Sequence, residues 1–443
     1  GWNTAIPLAP FGNGFISGIE ADHEPLRGAF YTRLMRAYGR PDTEVWMAMG
    51  TGRTAKKNVT TVMFNPRKVL DFAVACATAG GNCSVGGVDL GVEGPTVGMM
   101  AMELKPRAPY LNLPTIPQLA LHVSQQTETF VFGRNPGFTG LAWWQDYAWN
   151  SLVGWHHLMA FAGRTCDVVF DAHLEEKTLA KYPVLVMPMA VALGRAQLAN
   201  ILAYVRAGGT LLTGPWFGLR DEWGEAGVGY PLADRRFFPF GQEFPDWKDF
   251  EQRPKLTFTL KGAAPVRAAA LADWSLKARH FNMELAASNP AFVRRRLGKG
   301  QIVQSAFDWG TLFRYSGAAA VAQAFRAFYA ALDAPLPLVE LVNDTGDLIL
   351  GVFRKDGKTV VVHIQHFQPP WESRSAQDSL PPTRAPVTLR WNGRPPTTVR
   401  LVLPEPGQAV VPFRQGSSTV IVVPPFIRGQ IVEITLRNGL YFA

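Results

Sequence analysis

The sequence predicts an α/β protein that ends in an antiparallel β-sandwich. Short unbroken apolar runs, such as residues 184–187, alternate with segments of helical periodicity, which is typical of strands buried on both faces of a parallel sheet. From Glu340 onward, apolar residues instead recur at every second position in about seven short segments separated by turn residues. We therefore predict three domains, over residues 1–130, 131–338 and 339–443.

The composition is that of an ordinary globular protein. Hydrophobic residues make up 47% of the chain and charged residues 18%, which argues against disorder. The net charge is +9, but the cations are scattered and no nucleic-acid-binding module is recognisable, so we expect no nucleic-acid partner. An anionic polysaccharide stays open as a partner. No apolar run reaches the roughly 18 residues of a transmembrane helix, so no membrane span is predicted.

The first 130 residues contain three βα units in series. Strands are predicted over residues 15–20, 44–49 and 82–88. Helices are predicted over residues 26–38 and 66–79, the second with a proline in its first turn. Such a series is typical of a parallel sheet or a (β/α) barrel. Residues 103–129 are predicted to form a connector followed by a helix through Leu119, Leu121 and Val123.

The middle of the chain carries a clear strand, helix, strand unit. Residues 184–187 form a buried strand, and an apolar stripe then recurs at helical spacing from Leu198 to Val205. Gly208 and Gly209 end that helix, and residues 210–213 resume as a parallel strand with a right-handed crossover. A helix over residues 146–162 and a hairpin over residues 292–307 are also predicted.

Cysteine and histidine positions do not predict a metal or a cofactor. The spacing of Cys76, Cys83 and Cys166 suits no metal site, so we interpret these residues as buried small side chains. His156 and His157 lack ligand-spaced partners and are interpreted as packed helix residues. Three N-glycosylation sequons weakly favour secretion, at Asn58, Asn82 and Asn343. The chain begins at Gly1 without an initiator Met or a signal peptide, so we expect a processed or partial product.

Two segments carry a resemblance to a known family. The run from Tyr182 to Pro188 and the run from Tyr204 to Leu211 resemble the class I amidotransferase-like (flavodoxin-like) middle domain of family forty-two β-galactosidases. The Gly80-Gly81-Asn82 strand start is similar to the closing units of a glycosidase barrel, including that of α-L-fucosidase-type enzymes. The resemblance implies part of a TIM-type barrel, then an amidotransferase-like α/β domain that drives trimerisation, then a β-sandwich.

The middle domain itself is predicted to be non-catalytic. Amidotransferase-type folds can act as enzymes when a Cys or Ser occupies a strained turn between a strand and a helix. After residues 210–213 the chain reads Gly214-Pro215-Trp216-Phe217-Gly218, which offers no nucleophile. Catalysis, if the chain has it, therefore belongs to the barrel units.

Carboxylates near strand ends are the candidate catalytic groups. Glycoside hydrolysis uses two carboxylates, and barrel enzymes place them at the carboxyl ends of strands. Glu20 closes the first strand and is the first candidate, and Asp22 is the second, with His23 able to orient either. The alternative interpretation is that residues 20–24 are a polar loop capping the next helix.

Two further residues are candidates for binding a sugar. Trp46 could stack on a sugar ring, although a core position fits it equally well. Glu93 is predicted to lie in a Gly-rich loop after the third strand. Both are placed here as substrate-binding residues.

Two hypotheses follow. The first is a glycoside hydrolase that acts on an extracellular or cell-wall carbohydrate by a retaining mechanism, since the resemblance is to enzymes of this kind. It would assemble as a homo-oligomer or with a second polypeptide that completes the barrel and supplies the second carboxylate. The second hypothesis is a non-catalytic scaffold or carbohydrate-binding component that keeps the glycosidase fold.

Overall fold

The chain forms two compact units in a computed structural model. The first unit comprises Gly1–Ile116, Gly163–Asp167 and Leu336–Ala443, and the second comprises Pro117–Ala162 and Val168–Pro335. The predicted division into three domains stays a prediction. The structure describes these residues: 14–20, 25–39, 44–50, 66–86, 90–132, 141–214, 217–218, 220–225, 292–305, 308–316, 319–332, 334–342, 347–367, 383, 386–402, 413–414 and 419–437.

The N-terminal part of the first unit is a series of parallel βα units, as predicted. Its sheet has the order β1-β2-β3, and both strand pairs are parallel. The strands are β1 (Gly14–Glu20), β2 (Glu44–Gly50) and β3 (Asn82–Gly86). The helices are α1 (Pro25–Tyr38), α2 (Pro66–Thr78) and α3 (Leu90–Leu104). Pro66 opens α2 at a position where its missing N–H costs nothing, and Gly80 follows α2 with a φ of 90°.

One face of this sheet is buried and the other carries exposed side chains. Val45 and Met47 of β2 are fully buried, as are Phe30 of α1 and Phe72 of α2. Glu44 and Trp46, which alternate with them along β2, are exposed. In a closed barrel one face of each strand packs on the surrounding helices and the other faces the interior. The exposed face of β2 would face the interior if further βα units closed a barrel.

The C-terminal part of the first unit consists of two antiparallel sheets. One has the order β10-β13-β16-β15 and the other β11-β12-β17-β14. Their buried side chains form one shared core that includes Leu350, Val362, Trp391 and Ile421. Six of the seven predicted strands are present, β10 is an additional one, and of the strand predicted over residues 409–413 only Phe413 is among the described residues. The strands are β10 (Val339–Leu341), β11 (Leu348–Arg354), β12 (Thr359–His366), β13 (Val387–Trp391), β14 (Pro396–Leu401), β15 (Phe413–Arg414), β16 (Thr419–Val423) and β17 (Gly429–Leu436).

Polar contacts join the two ends of the chain within the first unit. Arg428 donates to Asp71 of α2 at 2.7 Å, and the Gln365 amide donates to the Asp71 carbonyl at 2.7 Å. Arg107 is almost fully buried and donates both to Glu103 at 2.8 Å and to the Gly429 carbonyl at 3.3 Å. Since removing one member of a buried ion pair leaves an uncompensated charge, these contacts make the two parts depend on each other.

The second unit is built on a six-stranded sheet with the order β5-β4-β6-β7-β9-β8. The pairs from β4 through β6 and β7 to β9 are parallel, and β8 runs antiparallel to β9 at the edge. The strands are β4 (Leu119–Val123), β5 (Cys166–Phe170), β6 (Val184–Met187), β7 (Thr210–Thr213), β8 (Phe292–Leu297) and β9 (Gly300–Ser305). The helices are α4 (Leu141–Phe161), α5 (Glu176–Leu179), α6 (Arg195–Ala207), α7 (Trp309–Ser316) and α8 (Ala319–Ala330).

The helix predicted through Leu119, Leu121 and Val123 is wrong, because these residues form strand β4. All five residues of β4 are buried, and β4 lies between β5 and β6 in the sheet. The three apolar residues recur at every second position, which suits a strand. Because the polar His122 lies between two of them, nothing in the sequence indicated that the second face of the strand is also buried. The predicted βαβ unit from β6 through α6 to β7 and the β8–β9 hairpin are confirmed.

Two glycines allow α4 and α7 to cross at very short distance. A Cβ added at Gly154 would lie 1.9 Å from the Gly310 carbonyl oxygen, and one added at Gly310 would lie 2.0 Å from the Ser151 carbonyl oxygen. Asp308, just before α7, is buried and accepts hydrogen bonds from the Trp155 indole at 2.7 Å and from the Thr311 backbone N–H at 2.8 Å. These contacts fix α7 against α4.

Candidate functional site

The carboxyl ends of β1, β2 and β3 lie in register. Glu20 pairs with Gly50, and Gly50 pairs with Gly86, so the last residues of the three strands occupy one edge of the sheet. Glu44 pairs with Gly14 at the opposite edge. Since barrel enzymes carry their catalytic groups at the carboxyl edge, the backbone of Glu20 occupies a position suited to catalysis and that of Glu44 does not.

Three other residues were predicted to belong to the site, namely Asp22, His23 and Glu93. Asp22 and His23 lie outside the described residues. Glu93 is part of helix α3, so the prediction that it lies in a Gly-rich loop is wrong. Each glycine costs a helix about 1 kcal/mol relative to alanine, but burial of one face offsets that cost. Met100 supplies such burial on α3, since only 6% of it is exposed.

Trp46 is placed on the exposed face of β2. Its ring is 39% exposed, and the indole N–H donates to the Glu44 carboxylate at 3.2 Å. Along the sheet Trp46 pairs with Ile16 on one side and Asn82 on the other. An indole held by a hydrogen bond on an open face can present an aromatic surface to a ligand. Trp46 is therefore not a core residue of the described part of the chain.

The sequon residues are only partly described. Asn82 opens β3 and is half-buried, which agrees with the prediction that it lies in a strand. Asn58 and Asn343 lie outside the described residues. Glycosylation of all three stays a prediction.

A buried polar cluster in the second unit was not predicted. His122 Nε2 lies 3.0 Å from Asp171 Oδ1, and Asp171 Oδ2 accepts the Gln126 N–H at 2.9 Å. Ser124 Oγ accepts the Thr127 N–H at 3.1 Å. The available signal was polar residues directly after two buried strands, β4 and β5.

The chemistry of this cluster is structural. Asp171 and Ser124 cap a helical segment that begins after β4, and the Asp171 carboxylate occupies the place where an anion binds a helix N-terminus. His122 contacts Asp171, and the Ser124 hydroxyl donates to Asp171 Oδ2 at 3.5 Å, so the acceptor of the serine proton is the carboxylate and not a histidine. Burial also lowers the pKa of nearby His173.

Cysteine and histidine side chains of the described residues show no reactive arrangement. Cys76, Cys83 and Cys166 are buried thiols outside any disulfide, as interpreted from the sequence, and burial raises the pKa of Cys166 to about 12. His156 and His157 are buried on α4, with the His157 ring edge-on to Phe313. Within the described ranges no group of three His, Cys, Asp or Glu residues could hold a metal ion. The same ranges contain no helix long and apolar enough to cross a membrane.

Comparison with solved structures defines the class of fold as that of glycoside hydrolases. The chain is similar to α-L-fucosidase isoenzyme 2 from Paenibacillus thiaminolyticus, with a TM-score of 0.62, 13% identity and 94% of this chain covered. It is similar to a β-galactosidase from Rahnella sp. R3, with a TM-score of 0.58, 15% identity and 98% covered. A GH42 β-galactosidase from G. stearothermophilus gives a TM-score of 0.57, 14% identity and 97% covered.

A family model matches most of the second unit. Residues 142–334 match the family model described as the beta-galactosidase trimerisation domain, so the predicted resemblance of the middle domain is confirmed. The chain spans 63% of the fucosidase chain, 61% of the Rahnella enzyme and 60% of the G. stearothermophilus enzyme. No curated protein matches the chain in sequence.

Proposed function

We propose that this protein is a glycoside hydrolase that cleaves O-glycosidic bonds of an extracellular or cell-wall carbohydrate. The observation that carries the proposal is the register of the N-terminal sheet, in which Glu20 ends β1 level with Gly50 and Gly86. The glycosidase-like fold supports it. Secretion belongs to the same proposal and is supported by the sequons alone.

The proposed mechanism uses two carboxylates and retains anomeric configuration. In such a mechanism one carboxylate attacks the anomeric carbon while the second, as an acid, protonates the leaving oxygen, and the second then activates water to release the sugar. Glu20 would supply one of these groups. Asp22, or a carboxylate on further βα units, would supply the other at about 5–5.5 Å. His23, Trp46 and Glu93 would contact the substrate.

Hydrolysis of nitrophenyl β-D-galactopyranoside and nitrophenyl α-L-fucopyranoside tests this proposal. We expect Glu20→Gln to lower kcat by about 10²–10⁴-fold, because a catalytic carboxylate would be lost. Glu176→Gln, which changes an exposed carboxylate of α5, is the matched control. Azide should restore turnover to Glu20→Ala if Glu20 is the nucleophile. Equal kcat in Glu20→Gln and wild type would refute the assignment.

A non-catalytic scaffold or carbohydrate-binding component is the second candidate function. The described N-terminal sheet contains three βα units, whereas a closed barrel has eight. Intact-mass measurement of native material, with N-terminal sequencing of every polypeptide, distinguishes the two candidates. A longer parent chain or a copurifying fragment with further βα units favours the hydrolase. A polypeptide that starts at Gly1, stays alone and hydrolyses neither glycoside favours the scaffold.

Oligomerisation is the remaining part of the proposal. The match of residues 142–334 to a trimerisation domain supports self-association of the second unit. The proposed partners are therefore a carbohydrate substrate and either further copies of this chain or a polypeptide that completes the barrel. No nucleic-acid partner is proposed.

A further inference from the structure

Trp223 is an isolated exposed aromatic residue in the second unit. It lies in the short described segment of residues 220–225, which follows β7, and 57% of it is exposed. Among the described residues of that unit, it is the one large apolar side chain that is exposed. Single exposed apolar residues are common, so the way in which Trp223 is held decides whether it has a role.

The Trp223 ring is held in a fixed orientation. It packs edge-on against Phe130, with ring centroids 5.5 Å apart and an interplanar angle of 64°. The Asp221 carboxylate accepts hydrogen bonds from the backbone N–H of Trp223 at 3.0 Å and from that of Glu225 at 2.9 Å. Gly224 has a φ of 79°, and a Cβ there would lie 2.5 Å from the Phe130 carbonyl oxygen. The turn therefore presents the indole without needing to be ordered by a ligand.

The segments that hold Trp223 follow the carboxyl ends of three strands. Phe130 belongs to the helical segment after β4, and the Trp223 turn follows β7. Arg220 donates its backbone N–H to the Val191 carbonyl, after β6, at 2.9 Å. In the sheet, β5 lies on one side of β4 and β6 lies on the other, so the strand order reverses at β4. Open parallel sheets bind ligands at such a reversal.

We propose that Trp223 is the stacking platform of a saccharide-binding subsite in the second unit. One face of a pyranose ring consists of C–H groups, which carry slight positive charge and pack on the electron-rich face of an indole. Glu222 and Glu225 flank Trp223 in the chain, and carboxylates accept hydrogen bonds from sugar hydroxyls. The choice of carbohydrate as ligand rests on the proposed function.

Other classes of occupant fit the described surface less well. A protein interface buries a cluster of apolar and aromatic residues at its centre, whereas Trp223 has no exposed large apolar neighbour among the described residues of its unit. A nucleic acid would place phosphates beside Asp221, Glu222 and Glu225, and like charges repel. One indole matches the size of one sugar ring.

Saturation-transfer NMR on the full chain tests this subsite. The probes are methyl β-D-galactopyranoside and methyl α-L-fucopyranoside, and the proteins are wild type, Trp223→Ala, Trp223→Phe, Trp46→Ala and the Trp46/Trp223 double alanine variant. For at least one probe we expect saturation of the C–H protons on one ring face. Part of this saturation signal should persist in Trp46→Ala. In the Trp46/Trp223 double alanine variant, that remaining signal should be about tenfold weaker. Trp223→Phe should retain most of it.

The outcomes separate this subsite from the proposed hydrolase. A signal that depends on Trp223 in a chain without glycosidase activity supports the subsite and refutes the hydrolase. Equal saturation in wild type and Trp223→Ala, or no saturation in wild type, overturns the subsite whatever the activity. Met102→Ala, which removes an exposed side chain of the first unit, controls for general surface effects. Loss of self-association in Trp223→Ala without any effect on the sugar signal would assign Trp223 to a protein interface and overturn the proposal.

Discussion

His363 is a fully buried histidine on β12 of the first unit. Its Nε2 lies 3.1 Å from the Tyr110 carbonyl oxygen, and the ring packs edge-on against Phe353 with centroids 5.2 Å apart. Burial, together with the nearby positive charge of Arg107, lowers the pKa of His363 to about 3. Because a buried charge is costly, the folded protein keeps the His363 ring neutral at ordinary pH, and the neutral ring can still donate its Nε2–H to the carbonyl.

We predict that His363 makes the first unit sensitive to acid. The unfolded chain takes up a proton near pH 6.5 and the folded chain only near pH 3, so the stabilising contribution is complete above pH 6.5 and is lost as pH falls towards 3. The loss should approach about 1.4 kcal/mol per pH unit. Guanidinium denaturation at pH 7, 6, 5 and 4 measures it. His363→Gln should lose less stability over this range, and parallel slopes in the two proteins would contradict the prediction.

Asp308 is a buried carboxylate whose hydrogen bonds we expect to stabilise the second unit. We predict that Asp308→Ala lowers the free energy of unfolding by about 3 kcal/mol, because it leaves the Trp155 indole and the Thr311 N–H without their acceptor. Burial raises the pKa of Asp308, and its hydrogen bonds oppose that effect. Asp308→Asn, which keeps an acceptor oxygen, should cost less. Thermal or chemical unfolding gives both values, and equal losses would show that hydrogen bonding is not the cause.

At the scale of elements, the crossing of α4 and α7 depends on glycine at both helices. We predict that Gly154→Ala destabilises the second unit by about 1–3 kcal/mol or more, because the added methyl group would overlap the Gly310 carbonyl. Gly98→Ala on α3 is the matched control, since a Cβ there meets nothing within 4 Å. This control should stabilise α3 by up to about 1 kcal/mol. The prediction is contradicted if both substitutions shift the denaturation midpoint in the same direction.

Elements were predictable from the sequence wherever a local pattern decided them. Six strands after Glu340 and the unit from β6 to β7 were predicted correctly, because periodicity and turn residues mark the limits of each one. Leu119–Val123 was missed because its burial on both faces outweighs local composition, and the helix around Glu93 was missed because its glycines suggested a loop. For the candidate catalytic site, the sequence predicted only that carboxylates lie at the ends of strands. The cluster of His122 and Asp171 was not predictable, because the two residues are 49 positions apart and meet through the sheet.

At the scale of the whole molecule, the first unit is assembled from both ends of the chain. The ion pair of Arg428 and Asp71 joins residues 357 positions apart, so no local pattern in the sequence could indicate it. Burial raises the pKa of Asp71, while the Arg428 charge and hydrogen bond lower it. The N-terminal helices and the C-terminal strands should therefore open together.

We predict that Arg428→Gln weakens both parts of the first unit at once. Because the change leaves the Asp71 carboxylate without its partner, we expect a loss of about 2 kcal/mol or more in opening free energy. Hydrogen exchange should show this loss at amides of α2 and of β12 alike, and none at β6 and β7 of the second unit. Arg354→Gln, at an exposed position of β11, is the control. A loss confined to β12 would mean that the two parts are independent.

The assembly of the first unit from both ends of the chain has a consequence during synthesis. A ribosome releases the chain from its N-terminus, at about 5–20 residues per second. The second unit has all its residues once Pro335 has emerged, whereas the first lacks β11, β12 and β17 until Leu436 has emerged. Until then, the nascent α1 and α2 lack the C-terminal strands against which they pack. Within these residues the second unit is therefore completed before the first, and we expect the apolar faces of α1 and α2 to stay uncovered until the C-terminal strands have emerged.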